Sequence, residues 1–230
     1  MVTRFEELDW QQTPMGELTL RRRFDPVLNK DVWEAILNDE HLMSTHFTAA
    51  EIELGRLGVE CATGDNLDVM VGGLGLGYTA QAVLASNRVH SLMVIEAIDQ
   101  VAQWHTRHFL PISEEIMSDP RMSVEVADFF ALMRHDDAER VFDAILVDID
   151  HTPSHHLHPD HAAFYSESGL HEMARHLKPG GVFALWSDDP PDEAFLAVLD
   201  TVFTQVSGEV VVFDNPLTGS QSSNTIYLAH

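Results

Sequence analysis

The feature that most constrains the fold is a run of glycines between two apolar segments. Residues 69–84 read VMVGGLGLGYTAQAVL, which predicts a strand, a tight turn through Gly73, Gly75 and Gly77, and the start of a helix. A second apolar segment, SLMVIE, ends at Glu96, nineteen residues after Gly77. Glycines let the backbone turn tightly and approach a ligand, and a carboxylate at the next strand end can accept hydrogen bonds from both ribose hydroxyls. This order and spacing favour a nucleoside-binding site over a plain structural turn.

Strands and helices alternate along the rest of the chain. Apolar runs predict strands over 69–73, 91–96, 122–128, 142–150 and 181–187, and helical patterns fall at 78–85, 98–109, 129–134, 162–176 and 191–206. The last two apolar runs, EVVVFDNP and NTIYLAH, are joined by the turn-rich LTGSQSS and predict an antiparallel hairpin at the sheet edge. The alternation predicts an α/β fold with a doubly wound, Rossmann-like sheet, whose ligands lie beyond the C-terminal strand ends.

The first part of the chain has a different pattern. GELTLRRRFD and DVWEAILNDEHLMS predict short strands, with turns at residues 14–16 and 38–39, followed by a helix from about residue 48 to 57. We therefore predict two domains, a small N-terminal β element over 1–47 and a nucleoside-binding catalytic domain over 48–230. No Ser/Gly linker separates them, so we expect the β element to pack on the main domain.

The charge narrows the class of partner. The chain has 37 Asp and Glu against 13 Lys and Arg, a formal net charge of −24. This balance disfavours nucleic acid and membrane surfaces and attracts small cations such as polyamines, although an acidic surface kept for solubility explains it equally well. Cys61 is the only cysteine, so no disulfide framework is expected. The chain shows neither a signal-peptide pattern nor an apolar run of about 20 residues, which predicts a soluble, cytoplasmic protein.

Carboxylates at the predicted strand ends define a candidate site. Asp148 and Asp150 end the fourth strand of the main sheet, and they point the same way if the strand is still regular there. Such a pair can hold an ammonium group and take its proton, because two like charges raise one pKa. The alternative is that one of them simply caps the next segment. Asp128 ends the third strand, where its carboxylate or the neighbouring backbone can read an adenine amine.

A histidine-rich segment follows the fourth strand, and its members are His151, His155, His156, His158 and His161. Histidine is a common metal ligand. However, residues 152–154 (Thr-Pro-Ser) and Pro159 indicate a loop rather than a helix with fixed ligand spacing. We therefore predict a loop that gates the site, and no metal.

These motifs resemble the spermidine synthase (polyamine aminopropyltransferase) family of the class I S-adenosylmethionine-dependent methyltransferase superfamily, from about Gly16 to the end. Glu96 matches the family's ribose-binding acid. Residues 71–73 resemble the start of the family's glycine loop, and residues 127–129 resemble its adenine-side motif. Residues 147–150 resemble its acid-Ser-Ser-acid segment. Residues 157–159 with 164–165 resemble its gate and the following helix, and residues 215–219 resemble the turn before its last strand.

The resemblance implies a methyltransferase-like sheet preceded by a small β domain, and assembly into a homodimer or homotetramer. It implies decarboxylated S-adenosylmethionine as donor and a small amine as acceptor. Asp148 is then the residue that activates the amine, with Asp150 as the second acid. The nucleoside side consists of Gly73, Gly75, Gly77, Glu96, Asp128, Phe129 and Asp148.

The chain also departs from the family pattern. Gly75 stands where the family's loop carries an acid that holds the donor's terminal amine. The two acids flank one residue rather than two, and the family's Tyr-His pair falls near Glu51 and Ile52. Two alternatives therefore stay open. One is an S-adenosylmethionine-dependent methyltransferase with an unknown small-molecule acceptor, and the other is a non-catalytic nucleoside-binding relative.

Overall fold

The computed structural model describes residues 5–135 and 140–230. These residues form two sheets with helices packed on them. In chain order the elements are β1 (Phe5–Thr13), β2 (Gly16–Asp25), β3 (Lys30–Leu37), β4 (Glu40–Ser44), α1 (Ala49–Cys61), β5 (Leu67–Gly72), α2 (Tyr78–Leu84), β6 (Val89–Glu96), α3 (Asp99–Thr106), α4 (Ser113–Met117), β7 (Met122–Val126), α5 (Phe129–Met133), β8 (Phe142–Val147), a 3-10 helix (Pro159–Ala163), α6 (Glu167–Ala174), β9 (Leu177–Ser187), α7 (Glu193–Asp200), β10 (Val206–Asn215) and β11 (Ser220–Ala229).

The larger sheet has seven strands in the order β10-β11-β9-β8-β5-β6-β7. Strands β5 to β9 are parallel, and β10 and β11 form the antiparallel hairpin at one edge. One core cluster contains buried side chains of α1 to α4 and a second contains those of α5 to α7, so helices cover both sheet faces. The doubly wound sheet and its edge hairpin are therefore confirmed. The strand order reverses at β5, between β6 and β8, and such switch points open a crevice at the C-terminal strand ends.

The N-terminal strands form an antiparallel sheet in the order β1-β2-β3-β4. Its buried Leu18, Leu20 and Ala35 belong to the same core cluster as the inner residues of β5. Two indole N–H groups join the parts further, since Trp33 donates to the Phe109 carbonyl at 2.9 Å and Trp104 to Asp9 at 2.8 Å. The expectation that this element packs on the rest of the chain is confirmed, while the exact division into 1–47 and 48–230 stays a prediction.

The three consecutive arginines of β2 are paired with acids of the same sheet. Arg21 and Arg23 both contact the buried carboxylate of Glu34, at 2.7 and 2.9 Å. Arg22, on the other face, lies 3.7 Å from Glu6 and 3.9 Å from Asp31. These pairs account for the basic run without a bound anion. None of the described helices is long and apolar enough to cross a membrane.

Some element bounds differ from the prediction in ways that affect the site. β8 ends at Val147 rather than at residue 150, so Asp148 and Asp150 lie beyond the regular strand. The helix predicted over 162–176 is two elements, because the Ser166 side chain accepts from the Gly169 N–H and begins a new helix. The prediction also missed β1 and α4 and began β9 four residues late, at residue 181 instead of Leu177.

Candidate active site

The glycine loop, residues 73–77, follows β5 at the switch point of the sheet. Gly73, Gly75 and Gly77 have φ values of +92°, +50° and +92°, a left-handed conformation that glycine adopts without strain. The Gly73 N–H donates to the Ile95 carbonyl at 2.9 Å. A β-carbon at Gly73 would lie 2.1 Å from the Asp148 carbonyl oxygen, so the loop and the end of β8 touch through backbone alone. The sequence pattern thus forms the predicted strand, turn and helix.

Glu96 ends β6 beside this loop, with its carboxylate buried. One oxygen accepts from the Leu74 N–H at 3.0 Å and the other from the Ile98 N–H at 2.8 Å. Burial raises the pKa of this carboxyl, and the backbone N–H groups oppose that rise. The backbone N–H groups of Gly75 and Ala97 also face this carboxylate, so Glu96 fixes the glycine loop from the end of β6.

His105 of α3 supports the loop from behind. Its Nε2 lies 2.9 Å from the Gly75 carbonyl oxygen, and its Nδ1 lies 3.1 Å from the Ser113 hydroxyl. Burial lowers the pKa of His105, so the neutral ring donates from Nε2 and accepts from Ser113. A β-carbon at Gly77 would lie 2.8 Å from this ring. The imidazole therefore requires glycine at position 77 and fixes the carbonyl of residue 75.

Asp148 lies directly after β8, at the floor of the crevice. Its Oδ2 accepts from the Thr79 hydroxyl at 2.6 Å, and the same hydroxyl lies 3.2 Å from the backbone carbonyl of Glu51. Burial raises the pKa of Asp148 to about 6 despite the hydrogen bond from Thr79. The site thus joins the ends of β8, α2 and α1. Such a carboxyl loses its proton close to neutral pH, as a general base requires.

Asp150 has different partners from Asp148, which corrects the expectation of a regular strand that points both side chains the same way. Its carboxylate is fully buried and accepts from the Leu157 N–H at 2.7 Å and the Tyr165 hydroxyl at 2.9 Å. His161 Nδ1 lies 2.8 Å from the same group. These contacts anchor the following segment, so the structure favours the alternative in which Asp150 has a local structural role.

The histidine loop, residues 151–158, folds back over this anchor. His156 stacks on Tyr165 with ring centroids 5.0 Å apart, and His161, in the 3-10 helix, stacks on Phe130 at 3.9 Å. His158 accepts from the Asp160 N–H and begins that helix. In residues 5–135 and 140–230, no group of three or more His, Cys, Asp or Glu side chains is arranged to hold a metal.

The adenine-side residues lie at the start of α5. Asp128 is exposed and its carboxylate caps the helix, accepting from the Ala131 N–H at 3.0 Å. Phe129 is buried, and a β-carbon at Gly72 would lie 2.7 Å from its ring. The Phe129 side chain is therefore core packing beneath the glycine loop rather than an exposed stacking surface.

Asp188, the first acid after β9, is held by hydrogen bonds on both its side chain and its backbone. Asp188 accepts from the Asn224 side chain at 2.8 Å, and its N–H donates to the His151 carbonyl at 2.7 Å. Asp192, rather than Asp188 or Asp189, caps the next helix by accepting from the Ala194 N–H. Asp188 thus connects β9 and β11 to the histidine loop.

Sequence reasoning missed Glu51 as a site residue and noted it only as a departure from the family pattern. One signal was available in the helix itself. Glu51, Gly55 and Gly58 recur at helical spacing, which indicates that this carboxylate lies on the face of α1 that packs closely on its neighbours. Thr79 and His105 gave no signal, because their partners are residues far away in the sequence.

A family comparison decides the membership of the chain. The model of the spermine/spermidine synthase domain matches residues 57–204, which include β5 to α7 and thus the glycine loop, Glu96 and Asp148. The chain belongs to the spermine/spermidine synthase family. The resemblance seen in the motifs is therefore confirmed.

A curated relative agrees with this assignment, and solved structures share the fold. A polyamine aminopropyltransferase of Prochlorococcus marinus (strain MIT 9313) is 30% identical over 160 residues, which cover 69% of this chain and 52% of the relative. The chain thus spans about half the length of the curated relatives that it matches.

Among solved structures, a spermidine synthase in complex with the transition state analogue AdoDATO has a TM-score of 0.72 at 17% identity, covering 97% of this chain and 71% of that one. Human methyltransferase-like protein 13 in complex with SAH has a TM-score of 0.57 at 22% identity, with 80% and 81% covered. Both confirm the methyltransferase-like fold.

Proposed function

We propose that this protein transfers an alkyl group from an S-adenosyl sulfonium, decarboxylated S-adenosylmethionine, to a small amine. The observation that carries the proposal is the position of Asp148. Its backbone carbonyl lies against Gly73 of the glycine loop, and its carboxylate accepts from the Thr79 hydroxyl and has a pKa raised to about 6. Family membership supports the reaction class, and Asp148 is the proposed base.

The donor fits the residues around the glycine loop. Glu96 lies beside the loop at the end of β6, where a carboxylate can accept from ribose hydroxyls, and the three left-handed glycines of the loop carry no side chains. At the adenine side, the exposed end of β7 presents Asp128 and the adjoining backbone. These groups support a nucleoside with its sulfonium directed towards Asp148, at the switch point of the sheet.

The chemistry requires a neutral amine next to the sulfonium. The amine nitrogen attacks a carbon attached to sulfur, a C–N bond forms as the C–S bond breaks, and sulfur keeps the electron pair as a neutral thioether. The surplus proton of the amine passes to the Asp148 carboxylate, which must be ionised to take it. The pKa near 6 makes this proton transfer effective around pH 7, and the net charge of −24 favours a cationic acceptor.

A specific observation favours a second candidate, methyl transfer from S-adenosylmethionine. Gly75 has no side chain, and a β-carbon there would lie 3.3 Å from the Met43 sulfur of β4. The loop therefore offers an apolar neighbour, rather than a carboxylate, at the place where an acid would hold the amine of a decarboxylated donor. A loop without an acid repels the carboxylate of S-adenosylmethionine less than a loop with an acid would.

Binding calorimetry with both forms of the donor, followed by transfer assays with 1,4-diaminobutane, tests the proposal. We expect tighter binding of the decarboxylated donor and aminopropyl transfer to the diamine. Asp148→Asn should lower kcat about 100-fold or more, because no carboxylate takes the proton. The matched control Asp214→Asn changes an exposed acid on β10 and should leave kcat unchanged.

Other outcomes separate the alternatives. Tighter binding of S-adenosylmethionine with methyl transfer would establish the second candidate. Binding of neither donor would leave a non-catalytic relative, and full activity of Asp148→Asn would remove Asp148 from the proposed mechanism. Assembly into a homodimer or homotetramer and a cytoplasmic location stay predictions.

A further inference from the structure

Thr79 of α2 carries a hydroxyl group at the candidate site that the proposed mechanism does not use. The residue is 2% exposed, and the other buried side chains of α2 are apolar. A hydroxyl group in such surroundings is costly unless it forms hydrogen bonds. Its Oγ1 lies 2.6 Å from Oδ2 of Asp148 and 3.2 Å from the backbone carbonyl oxygen of Glu51. Thr79 thus lies between α1 and the end of β8.

The Glu51 carbonyl is this close because α1 packs on α2 and β8 through glycine. A β-carbon at Gly55, one turn after Glu51, would lie 2.7 Å from the Thr79 carbonyl oxygen. A β-carbon at Gly58 would lie 2.9 Å from the side chain of Leu146, on the strand that leads to Asp148. The Thr79 hydroxyl is therefore held in place by closely packed backbone rather than by flexible side chains.

The hydroxyl hydrogen of Thr79 is directed to Asp148 when this carboxyl is ionised. A hydroxyl group has one hydrogen to donate, and both of its neighbours here are acceptors. The distance of 2.6 Å to Asp148 is typical of charge-assisted O–H···O⁻ bonds, whereas 3.2 Å to the Glu51 carbonyl is long for a hydroxyl donor. Oδ2 of Asp148 is thus occupied. In the described part of the chain no other group donates to this carboxylate, so Oδ1 is left without a donor.

We infer that Thr79 is a positioning residue for the base: its hydrogen bond fixes Oδ2 of Asp148 and leaves Oδ1 to take the proton of the amine. The inference rests on the proposed function and adds a residue to its mechanism. The amine proton passes to Oδ1 as the C–N bond forms, and Thr79 keeps its own hydrogen throughout. The hydrogen bond from Thr79 also stabilises the ionised carboxylate before the transfer, because a donor favours the charged form of its acceptor.

The surroundings of Asp148 allow this hydrogen bond to be measured by titration. Burial raises the pKa of Asp148 to about 6, and the hydrogen bond from Thr79 opposes the rise. Burial and the charge of Asp148 raise the pKa of Glu51 of α1, and burial and the charge of Glu51 raise that of Tyr78 of α2. The glycine loop contains only glycine and leucine. Because none of these groups changes in a variant at position 79, a difference between that variant and the parent reports on the hydrogen bond.

Carbon-13 NMR of labelled aspartate carboxyl groups gives the pKa of Asp148 in the ligand-free protein, with its signal identified by its loss in Asp148→Asn. Thr79→Val removes the hydroxyl and should raise this pKa by about 1–2 pH units, because the ionised form loses its donor. Thr79→Ser keeps the hydroxyl and should stay within about 0.5 pH units of the parent. The matched control Thr201→Val removes a surface hydroxyl, which donates to the Val198 carbonyl at 2.7 Å, and should leave the pKa unchanged.

The same variants are compared in the transfer assay with decarboxylated S-adenosylmethionine and 1,4-diaminobutane from pH 6 to pH 9. A pKa raised by about 1–2 pH units lowers the ionised fraction of Asp148 at pH 6 about 5- to 50-fold, so kcat of Thr79→Val should fall by this factor there and much less at pH 9. The KM of the donor should stay within about twofold, because Thr79 contacts the base and not the nucleoside. Thr79→Ser should restore kcat at both pH values.

An unchanged pKa of Asp148 in Thr79→Val would overturn the inference. A loss of kcat that is equal at pH 6 and pH 9 and is not restored in Thr79→Ser would also overturn it, because Thr79 would then only stabilise the fold. Binding of 5′-methylthioadenosine shows that each variant is folded. In both cases transfer by the parent would leave the proposed function intact. Absence of transfer by the parent would remove the proposed function, and the role of Thr79 with it, whatever the titration shows.

Discussion

Replacement of Glu51 by Gln should stabilise the fold at high pH and leave it unchanged at low pH. The pKa of Glu51 is raised from its ordinary value of 4.5 to about 8, so the folded state favours the protonated carboxyl. The parent protein therefore loses stability as the pH rises from about 4.5 to about 8, and the cost is constant above that range. The glutamine side chain of the variant stays neutral throughout and resembles the protonated acid in shape.

The size of the effect follows from the same values. A rise in pKa from 4.5 to about 8 sets a ceiling of about 5 kcal/mol. Glu51 is only partly buried, and water and side-chain movement reduce the cost of its charge, so we expect about 1–3 kcal/mol. The charge of Asp148 is part of what raises the pKa of Glu51, so the comparison measures the two carboxyls together.

Urea denaturation of the parent and Glu51→Gln at pH 5 and pH 9 measures this difference. The variant should match the parent within about 0.5 kcal/mol at pH 5 and exceed it by about 1–3 kcal/mol at pH 9. Glu53→Gln provides the control, because it removes only a surface pair with Arg56 and should change stability little at either pH. An equal free energy of unfolding for Glu51→Gln and the parent at both pH values would refute the reasoning about the raised pKa of Glu51.

Two further substitutions test the connections around the site. Gly73→Ala should lower the free energy of unfolding, measured by urea denaturation, by at least about 2 kcal/mol, because the new β-carbon would lie 2.1 Å from the Asp148 carbonyl oxygen in a left-handed conformation. The same variant should bind the neutral nucleoside thioether 5′-methylthioadenosine more weakly than the parent does. Unchanged binding would contradict this prediction. Asp150→Ala should cost about 3–5 kcal/mol by depriving the Leu157 N–H and the Tyr165 hydroxyl of their acceptor, and Tyr165→Phe only about 1–2 kcal/mol. Equal losses in those two variants would show that Asp150 does not anchor the histidine loop.

The main sheet was predictable because its strands are apolar runs separated by glycine, proline and polar segments. The glycine loop and Glu96 were predictable for a related reason, since both lie at strand ends close together in the sequence. β1 was missed because its sequence, FEELDWQQT, is charged, polar and largely exposed at a sheet edge. Hydrophobic patterning carries little information about such strands.

The proximity of Glu51 to Asp148 was not predictable, because the two residues come from α1 and from the end of β8 and approach each other only through Thr79 of α2. The pairing of Asp148 with Asp150 was predicted instead, since their spacing fits an extended strand. That expectation failed because β8 ends at Val147 and Asp150 finds three partners in residues 157–165. The prediction used only the spacing of the two acids, whereas the position of Asp150 is set by hydrogen bonds to residues further along the chain.

The tryptophans lie in different surroundings, so intrinsic fluorescence can report on separate parts of the protein. Trp10 is 49% exposed, whereas the indole N–H groups of Trp33 and Trp104 are held by hydrogen bonds where the N-terminal sheet packs on α3 and the segment after it. Trp186 lies in β9, and its buried N–H has no hydrogen-bond partner among the described residues. Separation of the N-terminal sheet from α3 would therefore change the fluorescence of Trp33 and Trp104, while Trp186 reports on the larger sheet.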